Sequence, residues 1–288
     1  MTADPSAAAV RPAKVLVAGG TGRLGTMVVA RLVGEHIPVR VMTRDPERAT
    51  GLSGELVEVV RGDVRERTQV RDAVRGCDVV VSAVHGFVGT GGVSPATVDR
   101  DGNAHLVSAA EEAGADVVLV SVFGAAADSP LELARMKFAA EERLREGTAR
   151  WTVVRAAPFV DLWRDLLEAT ASRSGRPLVF GRGQTPIPFV SCAEVAEVVV
   201  RAVLDRSLRG HVLSVASPEP RTLNQLAAEL QESAGRTGTP RHVPRAVLGL
   251  LSTVTSPFRA ELSRQTRAAL VMDRTPLLCD DGERVPAA

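Results

Sequence analysis

The chain has 288 residues, 45% of them hydrophobic and 24% charged, and 35 Lys and Arg offset 34 Asp and Glu for a formal net charge of +1. This is the balance of an ordinary globular protein, with no charge excess to recruit nucleic acid or an anionic membrane surface. No apolar run reaches the ~18 residues of a membrane span. The first dozen residues lack the basic-then-apolar pattern of a secretory signal, and Cys77, Cys192 and Cys279 are dispersed as in the reduced thiols of a cytoplasmic protein.

In chain order, apolar β-branched runs alternate with helical patterns. Strands are expected at 14–19, 38–44, 55–62, 78–84, 116–122 and 151–156, and helices at 23–35, 64–75, 96–114 and 131–147. Runs nearly continuous in Val and Leu are strands buried on both faces. Their alternation with helices builds a parallel sheet covered on both sides. After Ala156 the alternation breaks. The Gly- and Pro-rich stretch 176–191 reads as loop with short strands. Residues 192–205 read as a helix, 206–288 as short segments and helices such as 222–234, and CDDGERVPAA (279–288) as a frayed end.

The first strand, KVLVAG, runs into Gly19, Gly20, Gly22 and Gly25 and then into a helix. Gly20, Gly22 and Gly25 satisfy GxGxxG, and Gly19, Gly22 and Gly25 satisfy GxxGxxG. Glycine permits the tight turn, a close approach of backbone to a pyrophosphate, and close helix–strand packing. The free N–H groups and the positive end of the helix dipole then meet the phosphates. A bare glycine motif is weak, but here a strand precedes it and a helix follows. The expected turn comprises Gly19, Gly20, Thr21, Gly22, Arg23, Leu24 and Gly25.

The second strand ends in VMTRDPERA (41–49). An acid at this place takes the ribose hydroxyls of NAD, whereas an Arg accommodates the 2′-phosphate of NADP. Arg44 closes the strand, and Asp45-Pro46-Glu47 reads as a helix N-cap with Pro in the first turn. Arg23 would add a second positive charge, so NADP(H) is preferred to NAD(H). The alternative leaves both arginines solvated and gives the ribose to Asp45. Asp63 and Val64 end the third strand near the adenine, where Asp63 is an adenine acceptor, a helix N-cap, or both. Ser82, Ala83 and Val84 end the fourth strand beside the ribose and nicotinamide.

The segments VAGGTGRLG (17–25), VMTRDPERA, GDV (62–64), GNAHLVSAAEEAGADVVLVS (102–121), KFAAEERLREGTARWTVVRAAPF (137–159) and GRGQTPIPFVSCAEVAEVV (181–199) together resemble the atypical short-chain dehydrogenases/reductases, in particular the NmrA-like NAD(P)-binding branch. The resemblance covers about 14–203. It implies a Rossmann doubly wound parallel sheet with a small C-terminal substrate lobe. The expected layout is a flexible tail (1–13), the NAD(P)-binding core (14–156) and the lobe (157–288), with about 186–205 returning to the core.

Catalytic members of that group usually pair Tyr-x-x-x-Lys with a Ser on the preceding strand. Lys137 and Ser121 stand at the Lys and Ser places, but Leu133 stands where the tyrosine would be, and the chain has no tyrosine at all. Leucine transfers no proton and donates no hydrogen bond. Lys137 is read as a ribose ligand or as a solvated ion pair with Glu141, and Ser121 as an orienting hydroxyl or a strand-end serine satisfying backbone. His85 is the candidate substitute acid, because imidazole titrates near neutral pH; the competing reading is a loop histidine. His105, inside a helix, and Cys192 read as packing residues, and no nucleophile elbow or metal cluster is apparent.

His85, Phe87, Phe159 and Trp163 are the candidate substrate contacts. The stripe Phe159, Leu162, Trp163 and Leu166 also has the spacing of ordinary core. The glycine-rich GFVGTGGVSP (86–95) is a flap over the cofactor or a plain flexible loop. The function expected is hydride transfer from NADPH to a small apolar carbonyl, quinone or activated alkene without a tyrosine acid. The alternative is a non-catalytic NADP(H)-binding sensor with a regulatory protein partner. A homodimer is compatible with either.

Overall fold

The computed structural model describes residues 11–52, 54–89, 91–236, 238–254, 260–276 and 282–284. Most of the expected tail and of the expected frayed end lies outside them. Six parallel strands occur where the Val-rich runs predict them: β1 (Val15–Ala18), β2 (Val39–Thr43), β3 (Val57–Arg61), β4 (Val79–Ser82), β5 (Asp116–Val122) and β6 (Trp151–Ala156). The crossovers are α1 (Arg23–Gly34), α2 (Arg67–Val74), α3 (Asn103–Ala113) and α4 (Glu132–Arg145). Residues 96–114 are not one helix. A wide π-type turn, Pro95–Gly102, capped by Ser94 and Thr97, precedes α3. The chain goes on through α5 (Val160–Ser174), β7 (Leu178–Phe180), α6 (Cys192–Leu204), β8 (Val212–Val215), α7 (Leu223–Ser233), β9 (Arg241–Val243), α8 (Arg245–Val254), α9 (Ala260–Met272) and β10 (Glu283–Arg284).

The main sheet has the order β10-β8-β6-β5-β4-β1-β2-β3, with every neighbouring pair parallel. Val15 of β1 lies opposite Val39 of β2 and Val79 of β4. One face packs Val17, Val41 and Val81 under α1 and α6; the other packs Leu16, Val80 and Leu119 under α2, α3 and α4. This is the Rossmann-type α/β fold. The return to the sheet is longer than the sequence indicates, because β8 pairs with β6. Four residues between Gly210 and a polar stretch carry too little pattern to be read alone. Glu283 and Arg284 also pair with β8 rather than fray.

The C-terminal lobe gathers around Val160, Leu167, Val179, Ile187, Phe189 and Leu226. β7 pairs with β9 there. Asp161 of α5 accepts from the amide of Cys192 at the start of α6, 2.7 Å away, joining lobe to core.

Inside the sheet edge sits a fully buried carboxylate. Glu141 Oε1 accepts from Ser121 Oγ (2.6 Å) and Arg155 Nε (3.0 Å), and Oε2 accepts from Arg155 (2.7 Å) and Arg145 (3.0 Å). Lys137 is therefore not Glu141's partner. A buried pair is weak evidence of net stability, but breaking it is costly because a charge is left alone. We expect Glu141→Gln to destabilise the fold by roughly 3–5 kcal/mol in urea unfolding. A Glu141→Leu/Arg155→Met double variant should recover a large part of that loss.

Candidate cofactor and substrate site

β1 delivers the chain to Gly19, whose φ is +83°. A Cβ there would lie 2.6 Å from the carbonyl oxygen of Ala83, so this position needs glycine for its backbone sign and for its approach to the end of β4. Gly25 closes the turn from the helix side, where a Cβ would strike the backbone of Gly19 and Gly20. Gly22 differs. It is exposed, caps α1 without any side-chain hydrogen bond, and is followed by a first turn with no acid. Open amides and the positive helix end are thus left where the strand order reverses between β1 and β4. This is where a doubly wound sheet takes a dinucleotide pyrophosphate.

At the end of β2, Arg44 and Asp45 are both exposed. Asp45 accepts from the amide of Glu47 (3.2 Å) and so starts the short helical stretch Pro46–Leu52, as the Asp-Pro-Glu reading has it. Arg44 makes no hydrogen bond or ion pair among the described residues. Arg23 does not stand free beside it: it pairs with Asp165 of α5, linking the glycine turn to the lobe. Thr21 Oγ1 lies 3.3 Å from Thr43 Oγ1 and ties the turn to β2. Leu24 is buried in the core.

Asp63 is held by Arg65, whose guanidinium (2.6 Å) and amide (3.0 Å) donate to it. Burial pushes the Asp63 carboxyl up, but the Arg65 contacts outweigh this and hold it below the usual range. Val64 packs against Gly102, and its carbonyl lies 2.9 Å from His105 Nδ1, which makes His105 structural. Ser82 is also turned away from the cleft: it is buried and donates to Asn103 Oδ1 at 2.5 Å.

Lys137 is 3% exposed. It donates to Val84 O (2.8 Å) and Val120 O (2.9 Å), and its ammonium lies 3.1 Å from Asp99 Oδ1. Asp99 Oδ2 accepts from the amide of Gly86 (2.7 Å), and the Asp99 carbonyl accepts from Asn103 (2.7 Å). This corrects the reading of Lys137 as a solvated partner of Glu141: its ammonium is buried and holds the backbone just before His85, while Asp99 holds the backbone just after it. Ser121 gives its hydroxyl hydrogen to Glu141 and not to backbone.

His85 itself is exposed at the end of β4. The protein atoms packed around the ring partly desolvate it and hold its pKa below the ordinary imidazole value. Lys137 and Arg44 add to the shift, and Asp99 opposes it. Two residues on, Phe87 lines a cavity of about 110 Å³ together with Leu133 and Arg264. Phe159 packs against the core and bridges to Val190. Trp163 meets Phe189 edge-on within the lobe, while Leu162 and Leu166 are exposed, so the stripe on α5 is only partly core. The flap is tethered: Arg65 donates to Gly91 O (2.9 Å) and Arg264 to Val93 O (3.2 Å). Cys192 is buried, and burial, with Asp161 nearby, pushes its thiol up to about 12, which suits packing and not nucleophilic attack. No metal-binding group of side chains occurs among the described residues, and no helix there is long and apolar enough to cross a membrane.

A family model described as NAD(P)H-binding matches residues 19–206. The chain belongs to this NAD(P)H-binding family. It is 29% identical over 224 residues to an NAD(P)H azoreductase of Xenophilus azovorans, spanning 77% of this chain and 74% of the relative. Its fold matches that of an NADPH-dependent quinone oxidoreductase of Escherichia coli complexed with NADPH, with a TM-score of 0.74 at 20% identity over 93% and 91% of the two chains. It also matches a Citrobacter sp. triphenylmethane reductase complexed with NADP(H), with a TM-score of 0.74 at 21% identity over 93% and 92%. The NmrA-like resemblance and the fit of the glycine turn to NAD(P)H stand together with these findings.

Sequence reasoning missed Asp99, because TVDRDGN reads as a solvated polar face until the π-type turn buries it at 0% exposure. An acid three places before a helix glycine offers no separate signal. The site generates two expectations. Gly19→Ala should abolish NAD(P)H binding in calorimetry, since it both strains the turn and drives a methyl into Ala83. An NMR titration of the His85 ring should give a pKa below 6.5, rising in Arg44→Gln, where a nearby positive charge is removed.

Proposed function

We propose that the protein is an NADPH-dependent oxidoreductase acting on a small, rather apolar carbonyl, quinone or activated alkene, with no tyrosyl proton donor. One observation carries this reading. Leu133 occupies the place of the expected acid, and instead of a proton donor it contributes apolar wall to a cavity next to the His85 loop. The azoreductase and quinone oxidoreductase relatives support a substrate that accepts hydride readily. A quinone suits such a site best, because its reduced oxyanion is stabilised by the ring and needs a protein acid least.

Bound NADPH supplies the hydride. The chain's own groups do the rest. The amides at the start of α1 hold the pyrophosphate, and Arg44 takes the 2′-phosphate. The preference for NADPH over NADH rests on the division of labour at the end of β2, where Asp45 is tied to the Glu47 amide and Arg44 carries an unpaired charge. Asp99 and Lys137 hold residues 84–86 in place. His85, with its lowered pKa, is neutral at pH 7 and offers a ring N–H to the developing oxyanion, while water in the open cleft delivers the proton.

Titration with NADPH and NADH, followed by cofactor oxidation with quinones, enones and aldehydes, tests both halves. NADPH should bind more tightly, and Arg44→Ala should remove the preference; preferred NADH binding overturns the cofactor assignment. His85→Ala should lower kcat on quinones by roughly 10²-fold with NADPH affinity kept. Tight NADPH binding with no turnover across the panel would replace the reductase with the sensor.

A further inference from the structure

The cavity beside Leu133 is not purely apolar. Phe87, Leu131 and Leu133 form its wall, and three arginines, Arg135, Arg264 and Arg267, also line it. None of the three is in an ion pair among the described residues. Arg135 donates only to the carbonyl of Ser129 (2.6 Å), and Arg264 only to that of Val93 (3.2 Å). Arg264 Nε is buried with no acceptor among the described residues. A buried N–H without a partner is unfavourable and is satisfied when a ligand brings an acceptor. One acid, Glu132, shares the cavity wall. A second, Glu261, lies in the adjoining groove of about 750 Å³ that also contains Arg264, and there it accepts from Gln265 (3.3 Å). Three guanidinium charges against one carboxylate leave the cavity positive, and its low-dielectric apolar wall strengthens that field.

The smaller cavity, about 110 Å³, is near the size of one that admits a single aromatic ring, about 150 Å³. We propose that this cavity binds the anionic end of the substrate: a flat apolar or aromatic molecule bearing one carboxylate or sulfonate, with the ring against Phe87 and Leu133 and the anion on Arg264 and Arg267. The fork of a guanidinium matches both oxyanions in two-point hydrogen bonding. The inference rests on the proposed function, since it names the substrate class of that same site.

The test is calorimetric binding of benzenesulfonate, benzoate and the neutral benzyl alcohol to the full chain, with and without NADPH. Both anions should bind at least tenfold more tightly than the alcohol, and added salt should weaken only the anions. Arg264→Gln and Arg267→Gln should each remove about tenfold of anion affinity, or about 1.4 kcal/mol, and leave the alcohol unchanged. Equal binding of anions and alcohol, or an anion preference unaltered in both variants, overturns the proposal. Thermal melting and NADPH binding show whether each variant is folded; if Arg264→Gln is not, the exposed Arg267 decides the question alone. Binding needs no turnover. An inactive protein that selects the anions would overturn the reductase and keep the anion site, whereas an active one that does not select them would overturn the anion site alone.

Discussion

The Lys137 ammonium is almost wholly enclosed and must find oxygen on every side, and the oxygens it finds belong to three different elements. Two are carbonyls at the ends of β4 and β5, and the third is the Asp99 carboxylate. A buried charge without such partners is prohibitively costly, so these groups have little freedom to part. The other oxygen of Asp99 holds the Gly86 amide, so the strand end is gripped on both sides of His85. The floor of the cleft is thereby a rigid piece of backbone.

The opposite wall depends on a second close approach. Gly19 fits against Ala83 only because it lacks a side chain, and this brings the glycine turn up to the same strand end that Lys137 holds. The glycine turn and the His85 loop are therefore one packed unit. The lobe closes over this unit through Arg23 and Asp165 above the turn, and through Asp161 on the α6 amide. An exposed pair such as the first contributes little energy by itself. The lobe's orientation comes chiefly from its own apolar core and its junction with α6.

On the substrate side, the loss of the tyrosine is one part of a wider change. Leu133 takes its place on α4, one helical turn from Lys137, and lines a cavity together with Phe87 and three arginines. In the proposed reductase an apolar wall and a charged rim stand in for the tyrosine acid.

The sequence by itself determined the sheet and the cradle. Val runs mark the first six strands, β3 being the exposed edge among them, and the four glycines between a strand and a helix mark the turn, because both signals are local: neighbouring residues suffice to state them. The absent tyrosine and the Asp45 cap were legible for the same reason. Only the tertiary structure decided what depends on contacts across long separations. Lys137 meets Val84 and Asp99, Ser121 meets Glu141, Arg23 meets Asp165, and β8 joins β6, and no spacing in the chain encodes these meetings. Arg264 lies far along the chain from Phe87 and becomes its neighbour only when α9 packs over the flap. A polar side chain's role depends on which partner burial supplies, and burial is a property of the packed molecule.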